Sequence, residues 1–235
     1  MISDASIAPV AALIADPTRA VILCALADGR VRPAGELARE AGVSASTASE
    51  HLSRLLEGGL VEVERHGRHR YYRVSGERVV TALEAIGALA RPGPALPHRR
   101  AAVARDLRHA RACYDHLAGT LGVALARALV ERGVLHSHNG HYELPEAGSR
   151  FLADGLGVDV ARARASRRQF ARACLDWTER SHHIAGALGA ELLRRLLELG
   201  WLERSAGSRI LRVTHAGRRG FQESFEIDAL ALRYQ

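Results

Sequence analysis

The sequence predicts a mainly helical α+β fold with small β-hairpins, and three observations predict it. Apolar residues recur at helical spacing through most of the 235 residues. Short alternating runs, each broken by a turn, follow the longer helices. One residue pattern is used twice in the second half. Hydrophobic residues make up 47% of the chain, enough for a real core. No apolar run reaches the roughly 20 residues that span a bilayer, so no membrane association is expected. The first residues carry Asp4, Asp16 and Asp28 where a secretory leader has a basic start and an apolar run. Three widely spaced cysteines suit a reducing compartment, which places the chain in the cytoplasm. All 33 basic residues are arginine and the net charge is +7. Through Pro97, 11 arginines meet 11 acids, and beyond it 22 meet 15, so overall charge does not locate a nucleic-acid site.

In chain order, "AALIADPTRAVILCALADG" reads as two helices broken at Asp16-Pro17, with Asp16 as N-cap and Pro17 at the first helical position. Cys24, between Leu23 and Leu26, reads as a buried thiol. "AGELAREAGVSASTASEHLSRLLEGGL" gives a short helix, a tight turn at Gly42 and a longer helix, with Leu37, Val43, Ala48, Leu52, Leu55 and Leu56 pointing inward. "GLVEVERHGRHRYYRV" alternates on either side of Gly67 and reads as a hairpin with a basic tip. Helix, turn, helix and hairpin in this order make a winged helix-turn-helix. "ARPGPALPHRR" then forbids regular structure, giving an N-terminal domain over 1–90, a linker over 91–100 and a second domain over 101–235.

The longer helix opens with Ser44, Ser46, Thr47 and Ser49, although short hydroxyl side chains lower helix propensity. The second helix of this motif sets its first residues against base edges in the major groove, where hydroxyls both donate and accept. These four therefore read as a DNA-reading surface, Ser44 also being a natural N-cap. His51 and Arg54 follow on the outer face, within reach of a phosphate or a base. Arg65, Arg68 and Arg70 fit a wing that tracks phosphates.

"ADPTRAVILCALADG", "ELAREAGVSASTASEHLSRLLEGGLV" and the arginine-rich wing resemble the ArsR/SmtB family of dimeric bacterial repressors, over roughly residues 8 to 90. The resemblance implies a homodimer formed by the Ile7 to Ala15 and Glu77 to Ala90 segments, bound to double-stranded DNA at an inverted-repeat operator. Many members release DNA when a metal binds. This chain departs from their familiar metal patterns: the helix near Pro33 lacks a cysteine pair, and "GERVVTALEAIGALA" lacks histidines. An effector is therefore expected to engage the other half.

That half repeats itself. "ARACYDHLAGTLGVALARALVERGVL" and "ARACLDWTERSHHIAGALGAELLRRLLELGWL" are one pattern with six extra residues in the second copy, each continuing through a hairpin to "AG-x-R". Asn139-Gly140 reads as the first hairpin's turn and Ala206-Gly207 as the second's. The repeats, about 108–160 and 169–228, read as degenerate winged helices, since 11 positions separate Gly122 from Gly133 against 17 from Gly42 to Gly59. They are expected to sense or dimerise. Cys113 and His116, three apart, would share a helix face, and packing about a pseudo-twofold would bring Cys113, Asp115, Cys174 and Asp176 together. With His116, His183 and Trp177 these residues are the candidate effector site, and Tyr114 and Trp177 would line an apolar pocket. The effector is a transition metal or a small organic molecule; the alternatives are a redox pair or core thiols. "HSHNGH", with His136, His138 and His141, reads as an exposed hairpin tip. No phosphate loop, HExxH or GxSxG is present, so no catalytic residues are expected. The resulting expectation is a sequence-specific DNA-binding repressor; a winged-helix interaction module without DNA binding is the rival reading.

Overall fold

Asp16-Pro17 breaks the first apolar stretch into α1 (Ile7–Ile14) and α2 (Pro17–Leu26). The Asp16 carboxylate accepts a hydrogen bond from the Arg19 amide at 2.9 Å, and Pro17, with no amide hydrogen to leave unpaired, takes the first helical position. The computed structural model describes residues 7–66, 69–89, 98–206 and 208–234. Packing divides the chain into two units, Met1–Leu83 and Glu84–Gln235.

The first unit continues through β1 (Arg32–Pro33), α3 (Ala34–Ala41), α4 (Ala45–Glu57), β2 (Val61–His66) and β3 (His69–Val74). Helix α5 (Glu77–Leu89) begins in this unit and runs across the boundary. The strands form one antiparallel sheet in the order β1-β3-β2. Leu37, Ala48, Leu52 and Leu55 bury against Ile22, Leu23 and Leu26, and Tyr72 and Val74 join them from the wing. This is a winged helix-turn-helix. Strand β1 gives no sequence signal, because two residues cannot display alternation. Arg32 marks it instead, buried and donating to Asp28 at 2.9 Å and to Glu36 at 2.7 Å. Cys24 corrects an expectation. It is exposed, because Arg19, Ile22, Leu23 and Leu26 define the inner face of α2 and Cys24 lies on the outer one.

The second unit takes in α6 (His98–His109), so residues 98–100 are helical and the expected linker ends earlier than 100; residues 90–97 lie outside the described ones. The first repeat is β4 (Arg111–Cys113), β5 (His116–Ala118), α7 (Thr120–Glu131), β6 (His136–His138), β7 (His141–Glu143) and α8 (Glu146–Arg150), followed by a π-helical turn and α9 (Val160–Ala165). The second is β8 (Arg172–Leu175), β9 (His182–Ala185), α10 (Gly186–Glu198), β10 (Leu202–Arg204), β11 (Leu211–Val213) and α11 (His215–Phe225). Each repeat keeps the helix and wing of a winged helix and puts a β-hairpin where the preceding helix would stand. Asn139 and Gly140 turn the first wing with positive φ at both positions; Ala206 lies in the second wing's loop, and Gly207 falls outside the described residues.

The two repeats exchange strands. Tyr142 and Ala173 amides donate to the carbonyls of Ala171 and Gly140, joining the first wing to the second hairpin in a sheet ordered β6-β7-β8-β9. Reciprocally, Leu211 and Ala112 amides donate to Ala110 and Arg209 carbonyls, joining the second wing to the first hairpin. Both repeats feed one core, from Leu121, Leu125 and Leu129 of α7 to Leu188, Leu192 and Leu196 of α10. Gly119 and Gly186 are equivalent hinges between hairpin and helix: φ is +86° and +79°, and a Cβ would lie 2.5 Å from the Arg108 carbonyl oxygen in one case and from that of Gln169 in the other.

Two outcomes follow for stability. Gly119→Ala and Gly186→Ala are each expected to destabilise the second unit by more than about 2 kcal/mol, through backbone strain and overpacking; denaturant unfolding of the two variants checks this, and near-parental stability in either would contradict the equivalence. His109, at the end of α6, is buried with its Nδ1 unpaired, and burial, with Arg233 nearby, pushes its pKa down to about 4 despite Asp106. Its contribution to stability is complete above the ordinary value near 6.5 and is lost as pH falls towards 4. The thermal midpoint of His109→Gln should therefore fall less steeply than the parent's between pH 6.5 and 4.

Candidate functional site

Two places in the chain gather chemistry, one on each unit. On the first, Ser44 caps α4: its Oγ accepts from the Thr47 amide at 3.2 Å and lies 2.8 Å from both Ser46 Oγ and Thr47 Oγ1. Ser46 and Ser49 are exposed and Thr47 is half-buried. Arg54 is exposed and donates to Glu50 at 2.7 Å along the same helix. His51 departs from the expected outward position. Its side chain is 16% exposed, with Nδ1 3.5 Å from Asp16 Oδ1, because α4 packs this face against the start of α2.

The wing pairs Arg65 of β2 directly with Arg70 of β3, both exposed. Like charges opposite one another on a ladder repel. Lower on the wing, Arg73 is neutralised by Glu62 at 2.8 Å and Glu64 at 2.9 Å. Among the described residues Arg65 and Arg70 have no carboxylate partner. Arg68, the remaining wing candidate, lies outside the described residues with Gly67.

The second place is buried. Cys113 and His116 are cross-strand partners in the β4–β5 hairpin, and Cys174 and His183 are cross-strand partners in β8–β9. The shared helix face expected for Cys113 and His116 is thus replaced by a shared hairpin rung, which two intervening residues produce when they form a tight turn. The six extra residues of the second copy lengthen that hairpin's loop without moving its Cys–His rung. One ligand atom from each of Cys113, His116, Cys174 and His183 lies within 4.8 Å of every other, and all four residues are buried. The two Nε2 atoms face each other at 3.2 Å.

Asp115 and Asp176 stand behind the histidines, on the far side of the rings from the cluster. Asp115 Oδ1 is 3.5 Å from His116 Nδ1, and Asp176 Oδ2 is 3.6 Å from His183 Nδ1. Arg168 holds Asp115 in an ion pair. Asp176 is gripped more fully: it accepts from the Gly119 amide at 2.6 Å, from Thr178 Oγ1 at 2.6 Å and from the Thr178 amide at 2.9 Å. Arg111, wholly buried, reaches Asp176 Oδ1 at 3.1 Å and Glu84 Oε2 of α5 at 3.0 Å, while Arg209 reaches Glu84 Oε1 at 3.4 Å. Two buried cations thus meet two buried anions. This quartet and its link to α5 escaped sequence reasoning, because Arg111, Asp176 and Glu84 lie far apart in the chain.

Trp177 lies 5.3 Å from the Arg111 guanidinium and against Gly87 of α5, and Tyr114 lies beneath Arg168. The two rings cover the arginines instead of lining one apolar pocket together. His136 and His138 are exposed on the first wing, as expected, and His141 is half-exposed there.

The electrostatics follow this geometry. The hydrogen bond between the two thiols holds Cys113 above its ordinary pKa, burial adding to the effect, and holds Cys174 far below, with further help from His116 and His183. Burial lowers His183. Burial also pulls on His116, but Asp115 and Cys174 outweigh it and leave that ring raised. Asp176 is held well below the carboxylate range despite its burial, chiefly by Arg111 and Thr178. The chemistry on offer is two sulfurs and two imidazole nitrogens around one point, with a carboxylate behind each imidazole.

The cap geometry separates the hydroxyls of α4 by role. Ser44→Ala should lower the stability of the first unit by about 0.5–2 kcal/mol, whereas Ser49→Ala should leave it within about 0.5 kcal/mol of the parent. Denaturation monitored in the first unit distinguishes them, and equal losses would contradict the assignment.

A model of the Helix-turn-helix domain family matches residues 14–64. The HTH-type transcriptional regulator YdfF of Bacillus subtilis is 43% identical over 222 residues, spanning 94% of this chain and 98% of the relative. The HTH-type transcriptional regulator CmtR of Mycobacterium tuberculosis is 39% identical over 80 residues, 34% of this chain and 67% of its own. Among solved structures, the homodimeric winged helix-turn-helix DNA-binding domain of a possible ArsR-family transcriptional regulator from Mycobacterium bovis is 33% identical, covering 37% of this chain and 86% of that one with a TM-score of 0.32. YdfF matches through both units, whereas the CmtR match is only long enough for a winged-helix unit. From its recognition helix, its wing and a relative matched over nearly its whole length, the chain belongs to the ArsR/SmtB-like family of DNA-binding HTH-type transcriptional regulators.

Proposed function

We propose that this regulator is a homodimeric repressor of the cytoplasm that leaves an inverted-repeat operator when an effector occupies its second unit. The convergence of Cys113, His116, Cys174 and His183 within 4.8 Å, in a unit that the helix-turn-helix match does not reach, is the observation that carries the effector reading. Two effector chemistries suit such residues, a transition metal and a small organic molecule.

The DNA contacts assigned are Ser44, Ser46, Thr47, Ser49 and Arg54 on α4, and Arg65, Arg68 and Arg70 on the wing. His51, turned to Asp16, orients α4 against α2. Support for the wing comes from the Arg65–Arg70 rung, a repulsive pair that a phosphate would neutralise. Support for the dimer comes from α1, which buries none of its residues although it is strongly apolar, Ile7 being 69% exposed.

Operator DNA recovered with the protein provides the test. Ser49→Ala should weaken binding to that site by about 1–3 kcal/mol and hardly change binding to random DNA. Arg65→Ala with Arg70→Ala should weaken binding to both and reduce the salt slope by roughly one to two units, because neutralised phosphates release counterions. Extract from inducing cells should release the parent from its operator. An unchanged salt slope would remove the wing from the interface, and indifference to every extract would remove the effector.

A further inference from the structure

Resting on the reading of the second unit as the effector-binding part, we propose that its effector is a single dication of the zinc class. Cys113, His116, Cys174 and His183 would bind it tetrahedrally, and its presence would be reported to α5 through Asp176, Arg111 and Glu84.

Size decides first between the two effector chemistries. Four ligand atoms within 4.8 Å of one another enclose space for an ion and exclude an organic molecule. The 3.2 Å between the two Nε2 atoms is close to the roughly 3.3 Å that separates two nitrogens bound at 2.0–2.1 Å in a tetrahedron. Donor chemistry decides the class of ion. Two sulfurs with two imidazoles form a borderline-soft set, suited to Zn²⁺, Cd²⁺ or Co²⁺ and unsuited to Mg²⁺ or Ca²⁺. Two thiolates also cancel the charge of one dication, so the filled centre is neutral, as a buried site requires. All four positions come from the protein, so no open position is left for a substrate, which marks a binding centre and not a catalytic one.

The surroundings match a metal in a way that core thiols do not require. Both histidines turn Nε2 inward and Nδ1 towards a carboxylate, the arrangement that fixes the tautomer of a ligating imidazole. His183 Nδ1 is buried and has no hydrogen-bond partner at present, its carboxylate being 3.6 Å away. Holding Nε2 on a cation leaves the ring proton on Nδ1, facing Asp176 Oδ2. Asp176 is also bound to Arg111, and Arg111 to Glu84 on α5, the helix that begins at Glu77 in the first unit. Tightening the His183–Asp176 contact therefore bears on an ion pair that ends on the one described helix shared by the two units. On the other half-site, Asp115 is held by the partly exposed Arg168.

The test uses the full chain, freed of metal under reducing conditions and titrated with Co²⁺. One Co²⁺ per chain is expected, with thiolate-to-cobalt charge-transfer absorption and the strong visible bands of a tetrahedral site, both abolished by Zn²⁺. Cys113→Ser with Cys174→Ser should lose the charge-transfer band. Asp176→Asn should keep the spectrum and weaken metal binding by about 10–100-fold. Zn²⁺ should weaken operator affinity of the parent by a factor of about 5 to 150. In Glu84→Gln that factor should fall towards one while the Co²⁺ spectrum, which also shows that the second unit is folded, stays as in the parent. If Glu84→Gln fails to fold, the operator response of Asp176→Asn at saturating Zn²⁺ carries the test of the arm, a full parental response overturning it. Absence of the charge-transfer band, or a Cys113–Cys174 disulfide in its place, overturns the metal centre; release by cell extract would then still uphold effector control. Metal binding without any change in operator affinity overturns the arm and the metal as effector, while release by cell extract would again uphold effector control and indifference to every extract would remove it.

Discussion

Strand exchange between the two repeats is the constraint on which the second unit depends. Neither hairpin stands alone: β8 pairs with β7 of the other repeat, and the backbone around β4 pairs with residues 209–211, which lead into β11. A repeat taken alone would leave these amides and carbonyls without partners, at a cost that buried backbone groups do not tolerate. The exchange also forces β5 and β9 to lie near each other in the middle of a shared core. The Cys–His rung of each hairpin then has nowhere to go but towards its counterpart. Convergence of the four side chains is thus a consequence of how the sheets are completed.

Much of this was legible in the sequence. Periodicity and turn residues gave the winged helix-turn-helix, since Asp16-Pro17, Gly42 and the alternation around Gly67 each act through local chemistry. The duplication was visible as a repeated pattern, and the pattern named the four residues of the cluster. What the sequence could not give was their local setting. A spacing of three fits one helix face as well as the two sides of a tight hairpin, and only pairing with the other repeat selects the second. His51 and Cys24 show the same limit on a smaller scale. Each sits at the edge of an amphipathic pattern, where a rotation of one residue exchanges inside for outside. Glu84 was invisible for a different reason, because its partners Arg111 and Arg209 are distant in the chain and charge alone does not announce burial.

Charge is distributed differently in the two units. On the wing, Arg65 and Arg70 face each other at the surface, an arrangement suited to an anion arriving from outside. In the second unit, Arg111 and Arg209 are matched internally by Glu84 and Asp176, and the whole quartet is withdrawn from solvent. Breaking one member of such a group strands the others in a low-dielectric interior, so its geometry is set within narrow limits. A contact at its edge, such as that between Asp176 and His183, bears on a stiff assembly and not on a mobile surface pair.

Because the two hairpins belong to one polypeptide, the site between them is assembled by folding. Had each Cys–His rung resided on a separate subunit, occupancy would have risen and fallen with protein concentration, since half-sites would first have to meet. Carrying both on one chain replaces that encounter with a fixed, high effective concentration. A ligand bound between hairpins of one chain would fill its site according to its own amount alone, even in a cell holding only a few copies of the protein.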